Sequence, residues 1–277
     1  MRLTRPHTRE WYHRRVTSIP AAEQRAIAAA AELLAPAKSV LFVTGAGISA
    51  DSGLPTYRGV GGLYDDGGTD DGLPIEVCLS GGMFRRDPAK TWKYIRQIEQ
   101  ACRGAKPNRA HERIAELERT RERVWVLTQN VDGLHAAAGT KNLIAIHGDV
   151  HFLLCTACSW RREVGDYADL EPLPRCPDCN AVVRPKVVLF DEMLPIDALA
   201  SLRRELERGF DAVVVIGTTA VFPYIAAPVE LASSFGKPTI EINPGDSKVS
   251  ALVDVRIRLG AALAMDALCD ALAITAT

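Results

Sequence analysis

Residues 39–50 read Ser39-Val40-Leu41-Phe42-Val43-Thr44-Gly45-Ala46-Gly47-Ile48-Ser49-Ala50, an apolar run that breaks into a glycine-rich turn. A strand with one wet face alternates apolar and polar residues. A run that stays apolar suits a strand covered on both faces, as in a parallel sheet between layers of helices. The turn satisfies G-x-G-x-x-G/A at the strand-to-helix position where that pattern has a use: the backbone can bend sharply and approach a pyrophosphate, and a helix N-terminus then stabilises the charge. Short glycine turns also serve as plain punctuation, so context decides. Here a second turn, Gly217-Thr218-Thr219, follows another apolar run, Ala212 to Ile216.

Similar runs lie at Val124–Leu127, Val187–Phe190, Thr239–Ile242 and Val255–Leu259. Helix-forming stretches occupy Ala21–Ala35, Pro107–Arg121, Ile196–Arg208, Tyr224–Phe235 and Ala262–Ala273. Strands alternating with helices of this length predict an α/β fold, a Rossmann-like doubly wound parallel sheet. Two segments interrupt the alternation. Residues 59–106 open with a Gly/Asp-rich loop and continue as helix over Asp87–Ala101; residues 150–185 hold paired cysteines and prolines. Together they predict a smaller zinc-ribbon and helical module. The expected division is an N-terminal extension and helix over 1–37, then one domain over 38–275 carrying both insertions, which suits a chain of 277 residues. The acidic residue that usually binds the adenosine ribose about 20 positions after such a turn has no counterpart on a second strand, and Asp65, Asp66, Asp70 and Asp71 fall in a loop. That argues against an ordinary hydride-transfer dehydrogenase.

Composition excludes several classes. With 47% apolar and 24% charged residues, and no apolar run near the roughly 18 residues of a membrane helix, no integral membrane span is expected. A net charge of −1 gives no global attraction to nucleic acid or anionic lipid, so neither is expected as a partner. The arginine-rich start, Arg2 to Arg15, reads as a solvated or loosely docked extension. Seven cysteines, an odd number, do not suggest a disulfide framework; four of them form two Cys-x-x-Cys pairs, which points to a metal in a reducing compartment, the cytoplasm.

Those pairs are Cys155/Cys158 and Cys176/Cys179, separated by 17 residues. The spacing is that of a four-thiolate zinc ribbon, in which each tight knuckle aims two sulfurs at one ion. With all four positions filled by thiolate no place is left for water, so the zinc is expected to be structural. Cys78, Cys102 and Cys269 lack partners at ligand spacing and read as small buried apolar groups.

A polar burst, Thr128-Gln129-Asn130-Val131-Asp132-Gly133-Leu134-His135, follows the strand at Val124–Leu127, at the sheet edge where open α/β folds bind ligands. His147 comes next, in Ile146-His147-Gly148, and an imidazole is readily poised as a base near neutral pH. In this order the motifs resemble the sirtuin family, the NAD-dependent lysine deacylases, over roughly residues 38–275. The carriers are Gly45 to Ser49, Ser52 to Arg58, Thr128 to His135, His147-Gly148, the four cysteines, Val187 to Pro195, Gly217-Thr218-Thr219 and Ile242-Asn243.

The resemblance implies a set of roles. Gly45, Ala46, Gly47, Thr56 and Arg58 would serve the phosphates and ribose of NAD, with Tyr57 near the nicotinamide; Gln129, Asn130 and Asp132 would line the nicotinamide and ribose pocket; Gly217, Thr218, Thr219, Asn243 and the backbone at Ala262 would contact the rest of the dinucleotide. His147 and Asn130 would be catalytic. In the family the acyl oxygen attacks the ribose anomeric carbon, nicotinamide leaves, a histidine deprotonates a ribose hydroxyl, and free lysine and O-acyl-ADP-ribose result. Acyl-lysine proteins or peptides would lie as an added strand near Val187–Glu192, with Val188 and Phe190 bordering the acyl-lysine tunnel; plain strand core is the other reading of those two.

The chain departs from the family pattern at Pro55-Thr56-Tyr57-Arg58, where many sirtuins read Pro-Asp-Phe-Arg, and at Phe190-Asp191-Glu192, where many read Phe-Gly-Glu. Asp191 would add a carboxylate beside the peptide cleft. Relatives that remove succinyl or malonyl groups resemble one another in a Tyr-x-x-Arg pair; alignment places Ile95 and Ile98 there, so acetyl or longer uncharged acyl groups are expected. The alternatives are a protein mono-ADP-ribosyltransferase, which breaks the same glycosidic bond, and a non-catalytic NAD-sensing, protein-binding module.

Overall fold

The computed structural model describes residues 19–55 and 69–275. Helix α1 (Ala21–Leu34) leads into β1 (Ser39–Thr44), which passes into a 3-10 helix, Ala46–Ser52. Helices α2 (Ile75–Cys78), α3 (Gly81–Arg86), α4 (Pro88–Cys102) and α5 (Arg109–Thr120) follow, then β2 (Arg123–Thr128), α6 (Leu134–Ala137) and β3 (Leu143–Ala145). Next come β4 (Gly148–Cys155), β5 (Arg161–Glu163) and β6 (Val183–Val187). The described chain continues through α7 (Ile196–Glu207), β7 (Ala212–Ile216), α8 (Pro223–Ser234), β8 (Thr239–Ile242), β9 (Val255–Ile257) and α9 (Ala261–Thr275).

Local chemistry sets several helix starts. Asp87 caps α4 through Lys90 N–H, and Pro88 occupies the first turn, where a missing N–H costs nothing. Asn108 caps α5 in a reciprocal box with His111.

The large sheet has the order β3-β2-β1-β7-β8-β9, and every neighbouring pair is parallel. The chain winds outward from β1 to β3, returns to the centre, and winds outward again from β7 to β9. Its direction therefore reverses between β1 and β7, and open α/β sheets bind ligands at such a reversal, beyond the carboxyl ends of the strands. The apolar run of β1 is divided between the two faces. Val40 and Phe42 join a core with Ile27 of α1, Ile114 of α5 and Leu268 of α9, while Leu41 and Val43 join one with Leu202 of α7 and with Ile225 and Val229 of α8.

A second, antiparallel sheet, β5-β4-β6, shares a third core with the helices that precede α5. Trp92, Tyr94, Ile95 and Ile98 of α4 pack with Val150, Leu153, Tyr167 and Val183, and the Trp92 indole N–H donates to the Val183 carbonyl at 2.8 Å. The two interruptions of the alternation thus meet in one small core. Among the described residues no helix is long and apolar enough to cross a membrane.

Two expectations are corrected. The run Val187–Phe190 is not a strand of the large sheet: β6 ends at Val187, and beyond it Val188 N–H bonds the His147 carbonyl while Phe190 N–H bonds that of Leu79. Pairing with a different partner at each end, the segment cannot extend one ladder. The sixth large-sheet strand is instead β3, three residues long and too short to show a periodicity of its own. The glycine turn after β1 also leads into a 3-10 helix and not an α-helix.

Candidate active site

At the strand reversal the two glycine turns lie against each other. Gly45 N–H bonds the Ile216 carbonyl at 3.0 Å, and Gly47 N–H bonds that of Gly217 at 2.8 Å. A Cβ on Gly47 would stand 2.6 Å from Gly217 Cα, and one on Gly217 would stand 2.5 Å from the Gly47 carbonyl carbon. The glycines of both turns are needed for this backbone-to-backbone contact, and Gly217 also adopts a φ of 57° that side chains disfavour. The sequence pattern had linked them to the approach of a pyrophosphate; the structure shows what holds the turns in place.

Beyond β2, a buried polar network fixes the neighbouring residues. Ser49 Oγ donates to Asp132 Oδ2 at 2.7 Å, and Leu134 N–H donates to the other carboxylate oxygen at 3.0 Å. Asn130 Nδ2 donates to the Gly45 carbonyl at 3.1 Å and to Ser49 Oγ at 3.2 Å. Burial raises the Asp132 pKa, against the opposing pull of its two donors. Gln129 reaches the second turn, its Nε2 donating to Thr218 Oγ1 at 2.7 Å, and Asn243 Nδ2 donates to the Thr218 carbonyl at 3.0 Å. Thr218 is buried and Thr219 exposed, while Ala262 N–H is taken by the Asp51 carboxylate at 2.9 Å. Thr56, Tyr57 and Arg58 lie outside the described residues.

A pocket opens here, lined by Ala46, Ser49, Asn130 and Asp132 on its polar side and by Leu54, Ile98 and Cys102 among its apolar walls. A concave apolar space with a few convergent polar groups suits one end of a cofactor. Together with the paired turns, these donors fit a dinucleotide laid across the reversal. Ile98 is one of the two residues expected at the acyl pocket, whereas Ser49, Ala101 and Cys102 carry no expected role at the site. Ser49 could have been found as the polar member of the Gly-Ala-Gly-Ile-Ser stretch; Ala101 and Cys102 come from α4, which only tertiary packing brings to the sheet edge.

His147 stands at the other side of Gln129. Its Nδ1 is 3.0 Å from the Gln129 carbonyl oxygen and its Nε2 is 2.7 Å from the Tyr224 hydroxyl, with Phe222 and Tyr224 both edge-on to the ring. Burial lowers its pKa, and the carbonyl contact partly offsets this. His135, in contrast, is sealed behind the site, bonding Thr44 Oγ1 at 3.0 Å and packing on His111. In the sequence Tyr224 marks only the start of a helix-forming stretch.

Along the segment after β6, Leu189 is buried while Val188 is half-buried and Phe190 is 40% exposed. The two residues expected to border substrate therefore turn away from the core. Asp191 accepts from Gly82 N–H at 3.2 Å near the start of α3, so its carboxylate is engaged within the fold. Arg184 pairs with Glu192, which also accepts from Leu189 N–H at 2.9 Å and closes this loop on itself.

The four paired cysteines converge, their sulfurs all within 4.8 Å of one another. Two of the separations are 3.4 Å (Cys155–Cys179) and 3.6 Å (Cys158–Cys176), near the edge of about 3.8 Å expected for a tetrahedron with zinc–sulfur bonds of about 2.3 Å. Ala157 N–H donates to Cys155 Sγ at 3.3 Å and stabilises a thiolate there, lowering the pKa. Asn180, with a φ of 61°, turns the second knuckle back toward Cys176. An all-thiolate set of this shape fits a structural zinc ion.

The profile of the Sir2 family matches residues 45–223. The chain is 51% identical over 236 residues to NAD-dependent protein deacylase 2 of Pseudomonas aeruginosa, covering 83% of this chain and 91% of that protein. It is 52% identical over 239 residues to the protein of the same description from Pseudomonas syringae pv. tomato, covering 85% and 96%. A solved Sir2 homologue in complex with NAD superposes with a TM-score of 0.80 at 37% identity, covering 89% of this chain and 94% of that one.

Proposed function

The chain belongs to the Sir2 family and is an NAD-dependent protein deacylase, and from that premise we propose that His147 is its base, that the pocket of Ser49, Asn130 and Asp132 receives the nicotinamide end of NAD, and that acyl-lysine peptides bind along residues 187–192. One observation carries this reading: the buried Asn130–Ser49–Asp132 network and His147 converge on one sheet edge, joined through consecutive residues, Gln129 and Asn130.

The chemistry supplied by bound NAD is a labile bond between ribose and nicotinamide. Asn130 and Asp132, immobilised by Ser49 and by main-chain groups, orient that end of the co-substrate, while Leu54 and Ile98 exclude water that would otherwise hydrolyse it. The backbone at Gly45, Ala46 and Gly47, with Thr56, Arg58, Gly217, Thr218 and Thr219, serves the phosphates and their riboses; Asn243 and the backbone at Ala262 serve the adenosine side; Tyr57 serves the nicotinamide. His147 Nε2 takes the proton of a ribose hydroxyl. Val188 and Phe190 flank the acyl-lysine, whose peptide adds as a strand beside them. Because Ile95 and Ile98 stand where relatives that remove acidic acyl groups carry Tyr and Arg, the acyl group is acetyl or a longer uncharged chain. The catalytic domain spans 38–275 after an N-terminal extension and helix over 1–37, the helix packing on that domain through Ile27 and Leu34, and the reduced thiolate cluster suits the cytoplasm.

The test is incubation with an acetyl-lysine peptide and NAD, with products followed by mass spectrometry. Deacetylated peptide, nicotinamide and O-acetyl-ADP-ribose in equal amounts are expected, and His147→Ala is expected to lose about 10²–10⁴-fold in rate with zinc retained. ADP-ribosylated protein without deacetylation, or full activity in His147→Ala, would overturn the proposal.

A further inference from the structure

Both ring nitrogens of His147 are engaged, and their partners fix the tautomer. The Gln129 carbonyl oxygen can only accept, so Nδ1, at 3.0 Å, carries the proton. In the neutral ring Nε2 then holds the lone pair, and at 2.7 Å from it the Tyr224 hydroxyl donates. That lone pair is the one a base must offer to substrate, and an imidazole nitrogen has only one. A substrate hydroxyl cannot bond Nε2 while Tyr224 does.

We propose that Tyr224 is a positioning residue that holds His147 with Nε2 unprotonated and aimed, and that it yields this nitrogen to the incoming hydroxyl when the dinucleotide binds. The inference rests on His147 being the base. Tyr224 is well placed to be displaced. It is the second residue of α8, it is half-buried, and its ring stacks on Phe222 at 14° between planes. Once it has moved, the hydroxyl proton passes to Nε2 and leaves an imidazolium whose Nδ1–H still rests on the Gln129 carbonyl.

Three elements surround the ring. The end of β2 offers the Gln129 carbonyl, the segment after β6 offers Val188 N–H to the His147 main chain, and α8 with the residue before it offers Tyr224 and Phe222. Among the described residues Tyr224 is the titratable side chain bonded to the ring, and no charged group bears on its pKa. Burial keeps the ring neutral, the form to which a phenol can donate. Donation to Nε2 stabilises that form further, so removing it must make His147 easier to protonate.

Tyr224→Phe keeps the stacked ring and removes the donor. In the free protein, the NMR titration midpoint of His147 is expected to rise by about half to one pH unit. The acid limb of kcat/KM, which reports the free enzyme, is expected to rise with it, while the acid limb of kcat, which reports the complex with Tyr224 displaced, stays in place. An unchanged His147 midpoint, or a kcat limb that moves by the same amount, overturns the proposal. His147→Ala separates it from the assignment of the base: activity surviving there removes the base, whereas an inactive His147→Ala beside an unshifted Tyr224→Phe removes only the role of Tyr224.

Discussion

Asp132 is a largely buried carboxylate held by two donors, Ser49 Oγ and Leu134 N–H. Burial outweighs those donors and raises its pKa, so the folded protein binds this proton more tightly than the unfolded chain, where a carboxyl titrates near 3.9. The sign follows from linkage. The contribution of this group is fully present below about pH 4 and is lost as pH rises through the higher folded midpoint. Carboxylates with lowered pKa, such as Asp266 and Asp211, act in the opposite sense, so wild-type stability alone does not isolate Asp132. The difference between Asp132→Asn and wild type does, since every other group cancels. Measured by urea unfolding at several pH values, the stability of the variant relative to wild type is expected to climb from pH 4 toward neutrality; a flat or falling difference would show that the buried carboxyl does not titrate as its surroundings dictate. The position of this residue was legible in the sequence as part of a polar burst at a strand end. Its partner Ser49 carries no signal of a role in the sequence, because a serine beside a glycine turn looks like any turn residue until the fold brings Asp132 to within 2.7 Å.

The same contrast between pattern and contact governs the elements. At the reversal between β1 and β7 a methyl group has no room on Gly217, where φ is 57° and the Gly47 backbone lies 2.5 Å from a Cβ. At Gly236, after α8, φ is 63° but nothing lies within 4 Å. Gly236→Ala therefore meets backbone strain alone, about 1–2 kcal/mol, while Gly217→Ala adds a collision of rigid backbone worth roughly another 1–3 kcal/mol and displaces the turn beside Thr218. Thermal unfolding and NAD titration of the two variants should separate them: Gly217→Ala melts clearly lower and binds the co-substrate more weakly, and equal melting temperatures would refute the argument. The glycine turns and the fully covered β1 were readable because an unbroken apolar run and a positive-φ residue each leave a local mark. Strand β3, with three residues, leaves none, and the run Val187–Phe190 left a misleading one, being apolar without belonging to the large sheet. Its register is set by the His147 and Leu79 carbonyls, which stand far from it in sequence.

At the scale of the molecule, the thiolate cluster and the pocket are connected through one core. Cys155 and Cys176 are buried in the same cluster as Trp92, Ile98 and Leu189, and Ile98 is in turn a wall of the pocket, along with Ala101 and Cys102 from the same helix. This small core is built from β4, β6 and α4 across two stretches of sequence, and a structural zinc contributes on the order of 10 kcal/mol in comparable four-ligand sites. The large sheet has its own cores on both faces, independent of the cysteines. Metal removal is therefore expected to act unevenly. A strong chelator should abolish deacylation and speed amide exchange in β4, β6 and α4, with a change in Trp92 fluorescence, while β1 and β7 remain protected; added zinc should restore both activity and protection. If one equivalent of zinc is withdrawn and α4 exchanges no faster, the ion does not support the pocket wall, and the path from Cys155 through Ile98 to the active site carries no mechanical load.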